Sequence, residues 1–309
     1  MRLVFALAAL ALSATPLPAQ PAGGAFVVPE TGQAYGSLQE AVDAIGGGSG
    51  TILIAPGRYR QCAVQEAGEI AYRAEQPGTA IFDGKACEGK AALVLAGRGA
   101  TVDGLVFQNI RVPDENGAGI RLTQGDLIVR DSIFRDSESG VLAGNDPDGA
   151  VLIERSTFSG LGLCADDCAH SIYIGRYGSL TVRQSRFERG HGGHYVKSRS
   201  PRIEVRDSSF DDSAGSKTNY MIDLPEGATG VISGNVFVQG RGKENYTALV
   251  VVAAEALANN SDGLAVTGNE ASLAPGMAKP AAFVADYSGA RLALAGNRLG
   301  DGITALQRR

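Results

Sequence analysis

Ser132-Ile133-Phe134, Ser156-Thr157-Phe158 and Ser185-Arg186-Phe187 are three copies of one short unit. It is preceded by Leu105-Val106-Phe107, continues as Ser208-Ser209-Phe210 and Asn235-Val236-Phe237, and fades into Asn269-Glu270-Ala271 and Asn297-Arg298-Leu299. Successive phenylalanines from Phe107 are 27, 24, 29, 23 and 27 residues apart. From Phe134 onward, the position two before the anchor is Ser four times and then Asn three times. Before each anchor lies an alternating strand pattern: Leu127/Val129, Val151/Ile153, Leu180/Val182, Ile203/Val205. A unit of this length, made of short strands and Gly/Asn/Asp turns, cannot bury an apolar face alone. Stacked units bury a continuous column. Small polar side chains stacked at one position can also bond along the axis. No 3.6-residue period runs through these segments, which excludes helical repeats.

Toward the N-terminus, Ser37-Leu38-Gln39-Glu40 is a capping box, and Leu38, Ala41, Val42 and Ile45 follow at helical spacing. A short helix is predicted from about residue 38 to Ile45, stopped by Gly46–Gly48. Thr51–Tyr59 reads as a buried strand ending in the Pro56-Gly57 turn. Residues 20–36 are rich in Pro, Gly and Ala and read as a loose lead-in. Met1–Ala19 has a basic start, an apolar run Leu3–Leu12 and a small-residue end, the layout of a secretory signal peptide. The apolar run is too short to span a bilayer. The expected localisation is therefore periplasmic or secreted.

The capped helix, the Ile54-Ala55-Pro56-Gly57-Arg58-Tyr59 stretch and the Ser/Asn-x-Phe anchors resemble the right-handed parallel β-helix proteins, a superfamily that includes pectate-lyase-like enzymes. The resemblance covers residues 37–309. It implies an all-β, right-handed parallel β-helix solenoid with a short N-terminal capping helix, in one domain. The scaffold hosts lyases, hydrolases, epimerases and adhesins, so fold alone does not give function.

Composition narrows the partners. Without Arg2 the chain has 27 basic and 33 acidic residues, a net charge of −6. The window Arg176–Arg206 holds eight basic and two acidic residues, so it is +6 and the remainder −12. A local positive window on an acidic chain suggests an anionic ligand met at one place. It argues against a nucleic-acid-binding domain, and no membrane partner is indicated. Four cysteines in an exported chain read as disulfides. Cys62 and Cys87 are 25 residues apart, about one coil, and Cys164 and Cys168 would close a small loop. A metal set of Cys164, Cys168 and His170 with Asp166 and Asp167 ranks below the disulfide, because its spacing is unusual for zinc.

The candidate site is centred on Arg189-Gly190-His191-Gly192-Gly193-His194-Tyr195-Val196-Lys197-Ser198-Arg199, which holds two of the three histidines. Three strands align: His170–Gly175, His194–Arg199 and Tyr220–Pro225. In this register Ile172, Val196 and Ile222 point inward. Tyr173, Lys197 and Asp223 form an outward column on strands about 4.8 Å apart. His170, His194 and Tyr220 sit together at the strand entry, and Arg199 stands beyond Lys197. Such a set suits β-elimination of a uronate polymer. Lys197 would be the base, with its pKa lowered by nearby cations. Arg199 would neutralise the substrate carboxylate. Tyr173, His170 and His194 would be acid or positioning groups. His191, Tyr195, Asp223 and Tyr220 would bind substrate, with Asp223 also orienting Lys197. The β-helix lyases related to alginate lyases and chondroitinase B use Lys and Arg in this way, and this sequence is similar there. It differs in having both residues on one strand. The partner expected is an acidic polysaccharide and the state a monomer. No cofactor is firmly implied. Calcium is a possibility through Asp223 and Asp166/Asp167, although no calcium loop is present and Asn145–Gly149 reads as a turn. Asp166-Asp167 with Gly190-His191-Gly192 is weakly similar to polygalacturonase-type hydrolases. A carbohydrate-binding or structural β-helix and an epimerase complete the alternatives.

Overall fold

The phenylalanines form one column. In the computed structural model, which describes residues 24–164 and 168–309, the rings of Phe82, Phe107, Phe134, Phe158, Phe187, Phe210 and Phe237 stack with centroids 4.8–5.5 Å apart. Tyr59 and Phe26 extend the column toward the N-terminus. Each ring fills the space beneath the next and is removed from water. Burial of such rings is the main apolar contribution to the core, and their stacking adds about 0.5–1.5 kcal/mol per pair.

The strands form three long sheets, of twelve, ten and ten strands, in which every third strand is a neighbour. This is a right-handed parallel β-solenoid of about nine turns. Pairing between successive coils is parallel, and the short strands Leu163–Cys164 and Cys168–Ala169 pair antiparallel within one coil. The phenylalanine column belongs to the second sheet, and Phe107, Phe134, Phe158, Phe187 and Phe210 are in direct register. Ala271 and Leu299 take the same position in the last coils, as the weaker anchors predict.

The polar column is a hydrogen-bonded ladder. The backbone N–H of Ser132 donates to the Ser156 hydroxyl, Ser156 to Ser185, Ser185 to Ser208, Ser208 to Asn235, Asn235 to Asn269 and Asn269 to Asn297, at 3.0–3.2 Å. Each of the four serine hydroxyls also donates to the carbonyl two residues earlier. Ser185→Ala leaves the buried Ser156 N–H without an acceptor. Its expected cost is about 1–3 kcal/mol, read from urea denaturation. Ser185→Asn, which copies the later coils, should cost less. Equal costs would show that the ladder adds nothing specific.

The helix Leu38–Ile45 is capped at Ser37 by the reciprocal bonds with Glu40, and it buries Leu38, Ala41 and Val42 over the first coil. The expected loose lead-in is structured from residue 26. Phe26–Val28 pairs antiparallel with Gln33–Tyr35 and with the first coil strand, Ser49–Ile54. The reason is twofold: the first coil would otherwise present an unpaired edge, and Phe26 completes the aromatic column. The segment expected to be a signal peptide lies outside the described residues. Both disulfides are formed, Cys62–Cys87 across stacked coils and Cys164–Cys168 within one loop. Asn145–Gly149, read as a turn, instead leads from Asn145 straight into the long strand Asp146–Glu154, with an irregularity between Asp146 and Ala150. Asp146 accepts the backbone N–H groups of Gly125 and Asp148. A depression of about 870 Å3 lies at the far end, bordered by Arg291, Leu292 and Arg308 of the last coils.

Candidate functional site

The third sheet places the candidate residues. Tyr173, Lys197 and Asp223 are direct cross-strand partners on strands Ile172–Ile174, Val196–Ser198 and Ile222–Leu224. Ile172, Val196 and Ile222 alternate with them into the core. One step earlier, the rings of His170, His194 and Tyr220 follow one another at 5.0 and 5.5 Å, the two histidines tilted by 34° and His194 stacked on Tyr220, and His170 stacks on Tyr173 at 5.7 Å. Gly193 makes this arrangement possible: its φ is +58°, and a Cβ there would sit 2.1 Å from the Ala169 carbonyl oxygen.

Two cations converge on one carboxylate. Lys197 Nζ donates to Glu255 at 2.6 Å and Arg199 donates to the other Glu255 oxygen at 2.5 Å. Lys197 Nζ also lies 3.1 Å from Asp223. Arg199 further donates to the Tyr173 oxygen at 2.9 Å and to Glu226 at 2.8 Å, and Glu226 is held bidentately by Arg176. Glu255 arrives from the loop after strand Ala248–Val252, which turns back along the axis at Ala253, where φ is +59°. Asn259 pins that loop by donating to the carbonyls of Arg199 and Gly227. The Glu255 side chain is still 44% exposed, against 11% for Lys197.

The electrostatics change the expected roles. Burial lowers the Lys197 pKa, but attraction to Asp223 and Glu255 outweighs it and the net shift is upward. The expectation of a lowered pKa and a basic Lys197 is therefore corrected: near neutral pH it is an ammonium. Burial carries the His170 pKa well below its ordinary value and takes His194 down to about 3, with Lys197 adding to the effect at His194. Neither ring is an imidazolium that can give up a proton near neutral pH. His170 Nδ1 accepts the His194 backbone N–H, so its own ring proton is on Nε2. Burial pushes Asp223 up to about 6, against the pull of Lys197.

His194 Nε2 lies 3.4 Å from Asp223, and the two shifts offset each other in stability. The raised Asp223 makes the folded state retain a proton between about pH 4 and 6, which lowers stability as pH rises. The lowered His194 makes the folded state release one between about pH 3 and 6.5, which raises stability with pH. Asp223→Asn removes the first effect. Its stability should rise with pH across that window more steeply than that of the wild type, by up to about 1.4 kcal/mol per pH unit, because His170 and His194 then both act without opposition from Asp223. Chemical denaturation at pH 4, 5 and 6 measures both slopes, and parallel slopes would show that the two groups do not share a proton balance.

Other expected residues lie elsewhere. Tyr195, expected to bind substrate, is a core residue, 2% exposed. Its hydroxyl donates to Asp212 and accepts from the Gly190 N–H. It turns inward because Val196 next to it begins the strand after a glycine-shaped corner. His191 is exposed and pairs with Ser216 Oγ rather than with the cation cluster. The Tyr220 oxygen accepts from Asn245. Asp166 and Asp167 lie outside the described residues. The thiol-metal reading fails because Cys164 and Cys168 are bonded to each other. With Glu244 they form the one grouping of three potential ligands among the described residues. The basic window is also less open than its +6 suggests. Arg176, Arg183, Arg186, Lys197, Arg199 and Arg206 all have acidic partners.

Glu226 and Glu255 carry no sequence signal, since both reach the site from loops one and two coils beyond Lys197. Nor does the buried pair behind it. Lys243 Nζ lies 3.1 Å from Asp212, both side chains are fully buried, and Thr218 donates to the same carboxylate.

The sequence matches a family model described as right handed beta helix region over residues 91–277. No curated protein matches it. Among solved structures it is similar to the Streptococcus pneumoniae surface protein and adhesin PfbA, at 11% identity over 88% of this chain and 94% of that one, with a TM-score of 0.49. It is also similar to ORF18 of Geobacillus virus E2, at 13% identity over 87% of this chain and 57% of that one, with a TM-score of 0.45.

Proposed function

The chain belongs to the right handed beta helix family, and from that premise we propose that the outer face of its third sheet binds the carboxylates of an acidic polysaccharide and that the protein cleaves this polymer by β-elimination. One observation carries the reading: Lys197 and Arg199 each donate to a different oxygen of a single carboxylate, that of the exposed Glu255. A uronate carboxylate that displaces Glu255 meets the same two donors. When the proton next to that carboxylate leaves, charge builds on the carboxylate oxygens, and the two fixed cations stabilise it. Lys197 acts as a charge, not as the base. Tyr173, whose oxygen accepts from Arg199, takes that proton and delivers it to the glycosidic oxygen as the bond between this oxygen and the ring carbon breaks, which leaves an unsaturated sugar end. His170 and His194 shape the floor as neutral rings. The two disulfides fit an oxidising compartment, so the proposed location is periplasmic or secreted and the proposed state a monomer.

Binding without turnover is the second reading. The observation favouring it is that both cations already have acidic partners and Lys197 keeps its proton. One experiment separates the two. Wild-type protein is mixed with a panel of uronate polymers, and ultraviolet absorbance from unsaturated sugar ends is followed beside a binding isotherm. Rising absorbance supports elimination. Binding with no product supports the second reading. New reducing ends without absorbance mean hydrolysis, and no binding to any polymer overturns both readings. Glu255→Gln removes the competing charge and should tighten binding about tenfold, a step of ~1.4 kcal/mol. Unchanged affinity would show that the ligand does not take the place of Glu255.

A further inference from the structure

Sheet register extends the outward column beyond the site. It runs Val94, Arg121, Leu142, Tyr173, Lys197, Asp223, Val251, Ala285, each residue paired with the next. A second outward column contains Ala91, Ala118 and Ser139 on one side of the histidines and Ala248 and Ala282 on the other. The reactive groups are thus confined to three coils and flanked by small or apolar positions. Arg121 is the exception. It stands two coils before Tyr173 and three before Lys197, among Val94, Ala118 and Leu142.

Its environment is unusual for this protein. The Arg121 Nε is buried and has no hydrogen-bond partner. Other arginines on the coils meet carboxylates across strands, as Arg130 meets Glu154 and Arg155 meets Asp131. Among the described residues, the remaining arginines without partners are solvent-exposed, whereas Arg121 is half-buried. A guanidinium set into an apolar surface with an unsatisfied N–H loses hydration without compensation. A planar anion bound there would instead supply a counter-charge through a bidentate contact with the two terminal nitrogens, which are not buried.

We infer that Arg121 is a second carboxylate subsite for the same polymer, which lies along the solenoid axis from Lys197 and Arg199 toward the N-terminal coils. This rests on the carboxylate-binding reading above. The spacing supports it. Three strand separations are about 14 Å, and an extended pyranose chain advances by close to one separation per sugar. A sugar whose carboxylate lies on Lys197 and Arg199 therefore puts its third neighbour over Arg121. The direction is fixed because the other side of the column offers Val251 and Ala285, both buried and uncharged. The apolar positions between the two subsites, Leu142 and the Tyr173 ring, suit the hydrophobic faces of the intervening sugars. The ligand class becomes narrower: a polymer with regularly repeated carboxylates, not one with an isolated acidic branch.

The test uses uronate oligomers of defined length, from dimer to hexamer, titrated calorimetrically into the full-length protein. Wild type should show a step in affinity of about tenfold or more between trimer and tetramer. Arg121→Gln should abolish that step while leaving dimer affinity unchanged. Arg121→Leu, which suits the surrounding apolar floor and so should fold, must behave like Arg121→Gln, and Arg121→Lys should retain part of the step. Binding of dimers with no length step, or a step that survives in Arg121→Leu, overturns this subsite and leaves the carboxylate cradle standing. No binding at any length overturns both.

Discussion

Asp212→Ala should destabilise the protein by about 3–5 kcal/mol, because it leaves the Lys243 ammonium buried without its counter-charge. The carboxylate is surrounded on all sides. Lys243 lies 3.1 Å away, Tyr195 donates to it at 2.8 Å, and Thr218 at 2.9 Å. Even Gly240 is pressed against this residue: a Cβ there would sit 1.8 Å from the Asp212 carbonyl oxygen. Burial outweighs the attraction of Asp212 and lowers the Lys243 pKa, a sign that the pair is held at a cost in solvation. Lys243→Met alone should cost less, since Asp212 keeps two hydroxyl donors. The double variant Asp212→Ala/Lys243→Met should recover much of the loss, with a coupling of about 1–3 kcal/mol in the double-mutant cycle. Urea denaturation of the four proteins measures it. A single Asp212→Ala cost below about 1 kcal/mol would show that Lys243 escapes to water and that the network is dispensable.

Lys197→Ala should weaken uronate binding by about 30-fold or more, ~2 kcal/mol, as expected for losing one partner of a partly buried charge contact. The fold should survive, because Val196 and Ser198 still face the core. The pH dependence should change in a defined direction. With Lys197 gone, burial at Asp223 is opposed only by the more weakly acting Arg199, so the folded-state pKa moves above its present value of about 6. A raised carboxyl pKa makes the folded state retain a proton that the unfolded state has lost, so the variant should lose stability as pH rises from 6 toward 8. Lys197→Met keeps the aliphatic stem and should share the binding defect. Residual binding in the wild type should weaken with added salt, since both donors are charges near the surface. Unaltered affinity in both variants would place the ligand's carboxylate elsewhere.

The sequence carried the solenoid in its anchors. A phenylalanine every 23–29 residues preceded by Ser or Asn can be satisfied only if the coils stack, and the ring column and the Ser/Asn ladder are the two consequences. Strand alternation also fixed which of Tyr173, Lys197 and Asp223 face outward, since a period of two leaves only one register that keeps Ile172, Val196 and Ile222 inside. The row of His170, His194 and Tyr220 followed from the same register.

Local pattern placed Asp223 beside Lys197 but could not reach the partners that come from loops. Glu255 lies 58 residues beyond Lys197 in sequence, and Glu226 and Asp212 likewise reach their cations from other coils. Proximity between coils is set by loop paths, which carry no period. The sign of the Lys197 shift therefore belonged to the tertiary structure alone. Neighbouring cations in the sequence suggested a lowered pKa, and two carboxylates brought across coils reversed it. Tyr195 shows the same limit, because a glycine-shaped corner, rather than strand alternation, turned it into the core. Register is a property of a strand and can be read from it. Electrostatic environment is a property of everything packed around a strand, and only folding assembles it.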